Sequence, residues 1–230
     1  IFYFDKYGNP TEKPEVKKQI QAGVTTKTVL NDYIKAIGGE KALRNVKTLA
    51  VISSGTIQGT ELELVIKSAP KKLGVEMKAM GMTMSKQVVN EKEAYAVQQG
   101  QRKDFTGEEL KEMQAEATTF KELALLTDNE AALTGIENVN GADAYVIKKG
   151  KSKYYYDVKT GYKVGEAKDL EQGDQKMTQT TYYQDYKEVK GIKFPYKTIM
   201  NVGIEIELIT SEVKINEGVT DADFKQYLNT

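Results

Sequence analysis

The chain has 230 residues, and its 33 Lys and Arg balance its 33 Asp and Glu, so the formal net charge is zero. No stretch concentrates basic residues and no apolar run approaches about 20 residues, so we expect neither a nucleic-acid partner nor a transmembrane segment. His, Cys and Trp are absent, which excludes histidine- or cysteine-based catalysis, zinc sites built on imidazole or thiolate, and disulfides within this chain.

Residues 1–24 are expected to form an N-terminal strand, arm and linker. The aromatic segment IFYFD at 1–5 suits a short strand, and a turn follows that ends at Pro10. The polar segment 11–23 contains Pro14 and Gly23 and reads as a linker. The arm is either a junction with an upstream domain or an ordinary N-terminal segment. We place the main domain at 25–230.

The segment Thr25–Val46 predicts an amphipathic helix followed by a further turn. A threonine at its start can cap the first turn, and Gly38 and Gly39 end the helix because glycine adopts left-handed conformations without a Cβ penalty. The apolar positions recur at helical spacing on one face, namely Val29, Leu30, Tyr33, Ile34 and Ile37. A lone helix of this length is marginal in water, so this face is expected to pack on the strands that follow.

From Val46 the apolar period changes to two, which is typical of strands. In 61–66, Leu62, Leu64 and Ile66 alternate with Glu61, Glu63 and Val65. In 73–79, apolar residues occupy every second position. Asn140-Gly141 is a strong hairpin signal, and Asp157–Gly161 fits a longer turn. There is no room for crossover helices between these strands, so antiparallel neighbours joined by short turns are expected.

The strand series is interrupted once, between Phe105 and Asp128. Thr106 with Glu109, and Thr119 with Glu122, fit the capping-box pattern, so we predict two short helices. The predicted fold is therefore mainly β with helices (α+β). A curved antiparallel half-barrel sheet of about ten strands wraps around the N-terminal helix and the two-helix insertion.

A resemblance to a known family follows from the run between Leu62 and Phe105. A strand ends at a turn with lysine and proline, a second strand begins shortly after, and a hairpin precedes the helical insertion. The residues that match in this order are Lys67, Pro70, Leu73, Asn90, Lys92 and Tyr95. This order resembles the LolA-like lipoprotein carriers, and the topology matches from Thr25 to the C-terminus. The resemblance implies an envelope or periplasmic protein that binds a hydrophobic ligand or lipoprotein acyl chain.

One position departs from the carrier pattern. The dedicated carriers place an arginine immediately before the proline of the strand turn, where it helps control opening of the cavity. This chain has Ala69 before Pro70. Simple apolar binding is compatible with this difference, whereas energised hand-off of lipoproteins is not implied.

A second resemblance involves Asp185–Tyr196, DYKEVKGIKFPY, together with the hairpins at 140–141 and 157–161. These segments resemble domains C-terminal to insulinase-type zinc peptidases of Gram-negative envelopes, which implies an upstream peptidase domain as a partner. The zinc motif of such a peptidase needs two His, and this chain has none. The alternative function is then a packed accessory or interaction domain with no ligand of its own.

The candidate ligand-binding residues come from the apolar phase of the strands and from the predicted helix. They are Tyr33, Ile37, Leu62, Leu64, Ile66, Val75, Met77, Met82 and Met84. Methionine is flexible and polarisable and suits ligands of variable shape, although ordinary core packing explains a methionine-rich hairpin more simply.

The other chemistry-bearing residues favour no site. Tyrosines 154–156, 162, 182, 183 and 186 suit half-buried strands better than a binding surface. Glutamates 61, 63, 205 and 207 occupy the polar phase of strands and should face water. We therefore predict no catalytic residue, no metal, no cofactor and no enzymatic activity.

Overall fold

The computed structural model describes residues 18–172, 175–201 and 203–225, together with the backbone of the short strands β1 (Tyr3–Phe4) and β2 (Pro10–Thr11). These two strands pair antiparallel. The other residues of the predicted arm up to position 17 lie outside the described part of the chain. The division into an arm at 1–24 and a domain at 25–230 stays a prediction.

The main domain begins with two helices, α1 (Thr26–Ile37) and α2 (Glu40–Arg44). Six strands follow: β3 (Leu49–Ile57), β4 (Thr60–Ala69), β5 (Lys72–Ala79), β6 (Met82–Val89), β7 (Ala94–Gln98) and β8 (Gln101–Phe105). The insertion contains α3 (Gly107–Glu116) and α4 (Lys121–Leu125). Seven strands complete the sheet: β9 (Ala132–Val139), β10 (Ala142–Lys149), β11 (Ser152–Asp157), β12 (Lys163–Gln172), β13 (Gln175–Val189), β14 (Ile192–Asn201) and β15 (Glu205–Ile215). A 3₁₀ helix occupies Asp221–Phe224.

One antiparallel sheet of thirteen strands contains β3 to β15, in the order β8-β7-β6-β5-β4-β3-β15-β14-β13-β12-β11-β10-β9. It is open, and the pairing of β3 with β15 joins its two halves. The prediction of a mainly β fold with helices and antiparallel neighbours is confirmed. The predicted count of about ten strands is wrong. One contributor is β8, whose sequence QRKDF carries no apolar alternation to mark it.

Helix α1 forms as its apolar period predicts. Thr25 caps it: its side chain accepts from the Thr28 backbone N–H, and Thr28 Oγ1 accepts from the Thr25 N–H at 2.8 Å. The five predicted apolar residues of its stripe are all buried. Gly38 takes φ +139° at the C-terminus, a conformation that favours glycine. The helix therefore begins and ends where the sequence indicates.

The two helices of the insertion are confirmed, but their predicted capping boxes are wrong. Thr106 makes no side-chain bond to the first turn of α3, and the N-cap of α4 is Phe120 rather than Thr119. The Thr119 hydroxyl instead accepts a hydrogen bond of 3.2 Å from the Ser68 hydroxyl on β4. A contact with the sheet has thus replaced the local cap.

The main core lies between the helices and the face of the sheet that we call the inner face. There the buried stripe of α1 packs with α4 and with residues of β10, β11, β14 and β15, including Ile147, Tyr156, Ile192 and Ile215. Helix α3 covers the other end of the sheet, where Leu110 and Met113 pack near Val89 and Ala94. Between these two covered regions, none of the helices in the described part of the chain lies over part of the inner face.

The outer face near β4 to β7 is covered by the 3₁₀ helix. Phe224 packs there with Ala69, Val88 and Tyr95, and the Tyr95 hydroxyl donates to the Lys225 carbonyl at 2.8 Å. The 3₁₀ helix is therefore fixed to the sheet by an apolar contact and a hydrogen bond.

Gly38→Ala tests the contact between the end of α1 and the β13–β14 turn. A Cβ at Gly38 would lie 2.6 Å from the Gly191 carbonyl oxygen, whereas one at Gly39 would meet nothing within 4 Å. Both glycines have positive φ, so both changes carry backbone strain of order 1–3 kcal/mol, and only Gly38→Ala adds the clash. We expect a larger loss of unfolding free energy for Gly38→Ala than for Gly39→Ala in urea denaturation. Equal losses would show that this contact contributes nothing.

Candidate functional site: a cavity on the inner face

A cavity of about 380 Å³ occupies the part of the inner face that the helices leave uncovered. Its volume lies within the range of about 300–1,000 Å³ that small-molecule sites have. Residues from eight neighbouring strands, from β6 with Ser85 to β12 with Glu166, line it. A flat sheet would hold β6 and β12 about 34 Å apart, at roughly 4.8 Å per strand. The sheet therefore curls so that these two strands face one space.

The cavity wall is apolar on one side and polar on the other. The apolar side comes from β3, β4, β5 and β15 and consists mainly of Val51, Leu64, Ile66, Val75, Met77 and Leu208. The polar side comes from β12 and β13 and consists of Glu166, Gln179, Thr181 and Tyr183. Phe194 belongs both to this wall and to the helix core, so the cavity borders the packed interior directly.

A bulge in β12 creates the polar side. Regular alternation would place Lys163 and Glu166, three residues apart, on opposite faces of the sheet. The register shifts here, because Tyr155 pairs with Gly165 while Tyr156 pairs with Lys163. The extra residue brings Lys163 and Glu166 to the same face, where Lys163 Nζ lies 2.7 Å from Glu166 Oε2.

Lys163 is the centre of a buried ionic cluster that joins the sheet to the insertion. Its side chain is 9% exposed, and Nζ lies 3.4 Å from Oε1 of Glu122 on α4, which is 5% exposed. The Tyr156 hydroxyl donates to the same Glu122 oxygen at 3.1 Å. The ammonium also lies 5.0 Å from the ring centroid of Tyr154 and 5.3 Å from that of Tyr183. The Lys163 ammonium therefore forms ion pairs with two carboxylates, those of Glu122 and Glu166.

The protonation states follow from these contacts. Burial alone would raise the pKa of Glu166, but Lys163, Lys121 and the hydrogen bonds from Lys163 and Tyr183 outweigh it and lower the pKa to about 2. Burial opposes the charge of Lys163, yet the two carboxylates raise its pKa well above its usual value. Burial raises the pKa of Tyr183, and Glu166 raises it further. At neutral pH Glu166 is therefore ionised, Lys163 carries its proton and the Tyr183 phenol keeps its proton.

The structure brings together four of the nine predicted ligand-binding residues. Leu64, Ile66, Val75 and Met77 all line the cavity. Leu62 packs in the same apolar cluster but lines a neighbouring space of about 510 Å³ at the ends of the hairpins.

The other four predicted residues lie elsewhere. Tyr33 and Ile37 are buried in the helix core, where the Tyr33 ring packs edge-on against Tyr156 at 5.5 Å. Met82 and Met84 are 61% and 42% exposed near the β5–β6 turn. Their predicted role in ligand binding stays a prediction.

Sequence reasoning missed the polar side of the cavity. Glu166, Gln179, Thr181 and Tyr183 sit on strands that the pattern identified, but the pattern gave no reason to single them out. The tyrosines at 154, 156 and 183 surround the ionic cluster rather than forming a surface for sugars or peptides. The Lys163–Glu166 spacing is the one available signal, and it becomes informative only once the bulge is known.

Two solved structures share this architecture. A LolA superfamily protein from Nitrosomonas europaea has a TM-score of 0.56 at 13% identity, and the match covers 89% of this chain and 99% of that one. A DUF1329 family protein from Desulfovibrio piger has a TM-score of 0.52 at 12% identity, covering 87% of this chain and 97% of that one. The chain has the LolA-like fold. At these identities the likeness shows the fold alone, and it confirms the resemblance seen between Leu62 and Phe105.

The remaining comparisons add little. The lipoprotein LppX of Mycobacterium tuberculosis covers 85% of this chain and 97% of its own at 12% identity, and its TM-score of 0.33 is too low to carry an argument. No protein-family model and no curated protein sequence matches the chain. The second resemblance, to domains that follow insulinase-type zinc peptidases, is not tested by these structures and stays a prediction.

The part of the chain that the structure describes carries neither a candidate metal site nor a candidate membrane-spanning helix. Among the described residues, no group of three or more acidic side chains is placed to hold a metal ion. Within the same residues, none of the helices has the length and apolar character that crossing a bilayer requires.

Lys163→Met tests the ionic cluster. Removing the ammonium leaves the buried Glu122 and the partly exposed Glu166 without a cation, and breaking a buried pair in this way costs about 3–5 kcal/mol. We expect a loss of that size in urea denaturation. Lys168→Met is the control, because Lys168 pairs with Glu116 at 3.0 Å while both side chains are over 40% exposed, and exposed pairs contribute about 1 kcal/mol or less. Similar losses for both variants would contradict a buried cluster.

The pKa of Glu166 predicts the acid sensitivity of the domain. Its folded-state pKa of about 2 lies below its ordinary value of 4.5. The stabilisation is therefore fully present above about pH 4.5 and is lost as the pH falls through about 2. We expect the urea midpoint of the unaltered protein to fall more steeply over this range than that of Glu166→Gln. Glu137→Gln, at an exposed pair with Lys153, should follow the unaltered protein, and parallel curves for all three proteins would refute the assignment.

Proposed function

We propose that this domain is a non-catalytic binding module of the cell envelope that holds a hydrophobic ligand, such as a lipid or a lipoprotein acyl chain, inside its curled sheet. The observation that carries the proposal is the cavity on the inner face, which the helices leave open and which is apolar over β3 to β5. Four of the candidate residues that we chose from the apolar positions of β4 and β5 line this cavity, namely Leu64, Ile66, Val75 and Met77. This supports a ligand site at that part of the sheet.

The driving force would be burial of apolar surface. Each methylene group removed from water contributes about 0.8 kcal/mol, so even a short alkyl segment would gain several kcal/mol against this wall. Leu62 would extend the apolar surface toward the hairpin ends, while Tyr33 and Ile37 would hold the helical cover in place. Met82 and Met84, which are exposed near the β5–β6 turn, would contact a ligand only at the rim.

The proposal does not include energised hand-off to a partner. Ala69 stands where the dedicated carriers have an arginine, and here it packs on the outer face against Phe224. The envelope location is supported by the LolA-like fold and by the sequence resemblance to the carriers. The possibility of an upstream peptidase domain rests on the second resemblance alone.

The alternative is a packed accessory domain with no ligand of its own. The helix core supports this reading for β9 to β11, since α1 and α4 fill that part of the inner face. The cavity next to it favours the binding module, because a fully packed accessory domain would need no space of about 380 Å³ beside its core.

Native mass spectrometry of the purified protein, combined with organic extraction and lipid analysis of the same sample, tests the proposal. We expect either a stoichiometric extractable lipid or a mass shift after incubation with a monoacylglycerol. A clean mass with no shift on incubation with acyl lipids would favour the packed accessory domain.

Ser85→Phe and Thr83→Phe form a matched pair for the same test. Ser85 lines the cavity, whereas the Thr83 hydroxyl donates to Glu76 at 2.5 Å outside it. Both changes put a phenyl ring on β6, but only Ser85→Phe fills the cavity. We expect Ser85→Phe to weaken lipid binding at least about tenfold and Thr83→Phe to bind as the unaltered protein does. Unchanged binding by a folded Ser85→Phe variant would place the ligand elsewhere.

A further inference from the structure

The charges in the cavity wall restrict the chemistry of the ligand's polar end. Of the residues that line the cavity, Glu166 is the only one with an ionised side chain, and no lysine or arginine is among them. The other polar groups are the amide of Gln179 and hydroxyls such as those of Thr181 and Tyr183. A carboxylate or phosphate headgroup would therefore meet a negative charge, and none of the residues that line this cavity offers it a cation.

The ammonium of Lys163, which pairs with Glu166, is not available to such a headgroup. Lys163 already lies 2.7 Å from Glu166 and 3.4 Å from Glu122, so both of its ionic partners are protein carboxylates. Within this group of three side chains the negative charges exceed the positive by one. Lys121 also acts on Glu166 electrostatically. It lines an adjoining space of about 80 Å³ that shares Glu166, Gln179 and Thr181 with the main cavity, but Lys121 itself does not line the main cavity.

Glu166 still has capacity to accept a hydrogen bond. An ionised carboxylate offers about four acceptor positions, and here Lys163 and Tyr183 are its side-chain hydrogen-bond donors. The Glu166 side chain is 25% exposed and lines the cavity. A hydroxyl or ammonium group that enters the cavity can therefore donate to it, at the side of the cavity opposite the apolar wall of β4 and β5.

We propose that the cavity selects amphiphiles whose polar end is a neutral hydroxyl group or a cation, and rejects those that end in a carboxylate or phosphate. The tail would lie on β4 and β5 and the polar end against β12 and β13. This inference rests on the proposed function, since it names the class of ligand for the same cavity.

Three probes with the same alkyl chain test the selection: 1-monohexadecanoylglycerol, hexadecylammonium and hexadecanoate, each below its micellar concentration at neutral pH. We expect the first two to bind the unaltered protein at least about tenfold more tightly than hexadecanoate. Equal or tighter binding of hexadecanoate would overturn the selection while leaving the proposed function intact. Failure of all three probes to bind would overturn the proposed function and the selection together.

Gln179→Lys provides a test that leaves the Lys163–Glu166 pair in place. A lysine at this position supplies the cation that the cavity lacks, so hexadecanoate should gain affinity relative to hexadecylammonium by about tenfold or more. Thr178→Lys is the control, since Thr178 is the exposed neighbour on the same strand and its hydroxyl donates to Asp169 at 2.8 Å. An equal response to both lysines would show that the selection reflects the overall charge of the protein. A folded Glu166→Gln variant, which lacks the negative charge of the wall, should bind hexadecylammonium more weakly relative to hexadecanoate than the unaltered protein does.

Discussion

The structure depends on how a few short helices cover the inner face of an open sheet of thirteen strands. Helix α1, with twelve residues, is about 18 Å long, which is far less than the width of such a sheet if it were flat. Curling brings distant strands together and reduces the area that the helices must cover. The cover remains incomplete, and the uncovered part between α4 and α3 is the cavity. The candidate site thus exists because the helices are too short to cover the whole inner face of so wide a sheet.

The ionic cluster explains how a short helix is held at the border of that cavity. Helix α4 has only five residues, too few to be stable through its own hydrogen bonds. Leu125 gives it an apolar anchor in the core, and Glu122 gives it a second attachment through Lys163 and Tyr156. Because Lys163 also pairs with Glu166 in the cavity wall, the same ammonium holds both helix α4 and the Glu166 carboxylate in position.

Local patterns in the sequence predicted most of the architecture. The stripe of α1, its end at Gly38 and the alternation of Leu64 and Ile66 depend on interactions within one element, which a single sequence displays. The sequence wrongly predicted a Thr119 cap because the group that binds its hydroxyl, Ser68, is distant in sequence. The pairing of Lys163 with Glu166 depends on one extra residue in β12, and a bulge of this kind reverses the face of every later residue. The sequence therefore singled out four residues of the apolar side, Leu64, Ile66, Val75 and Met77, and none of the polar side.

An open sheet also has two free edges, each a row of backbone groups that another chain's strand can pair with. Strand β8 forms one edge and has the sequence QRKDF, with Arg102 held by both Asp104 and Glu93. Strand β9 forms the other edge, and its register is interrupted at Thr134, whose hydroxyl donates to the Val146 carbonyl. Charge at one edge and irregularity at the other are ways in which natural proteins discourage strand addition. The features that made β8 hard to recognise in the sequence thus protect the domain against aggregation.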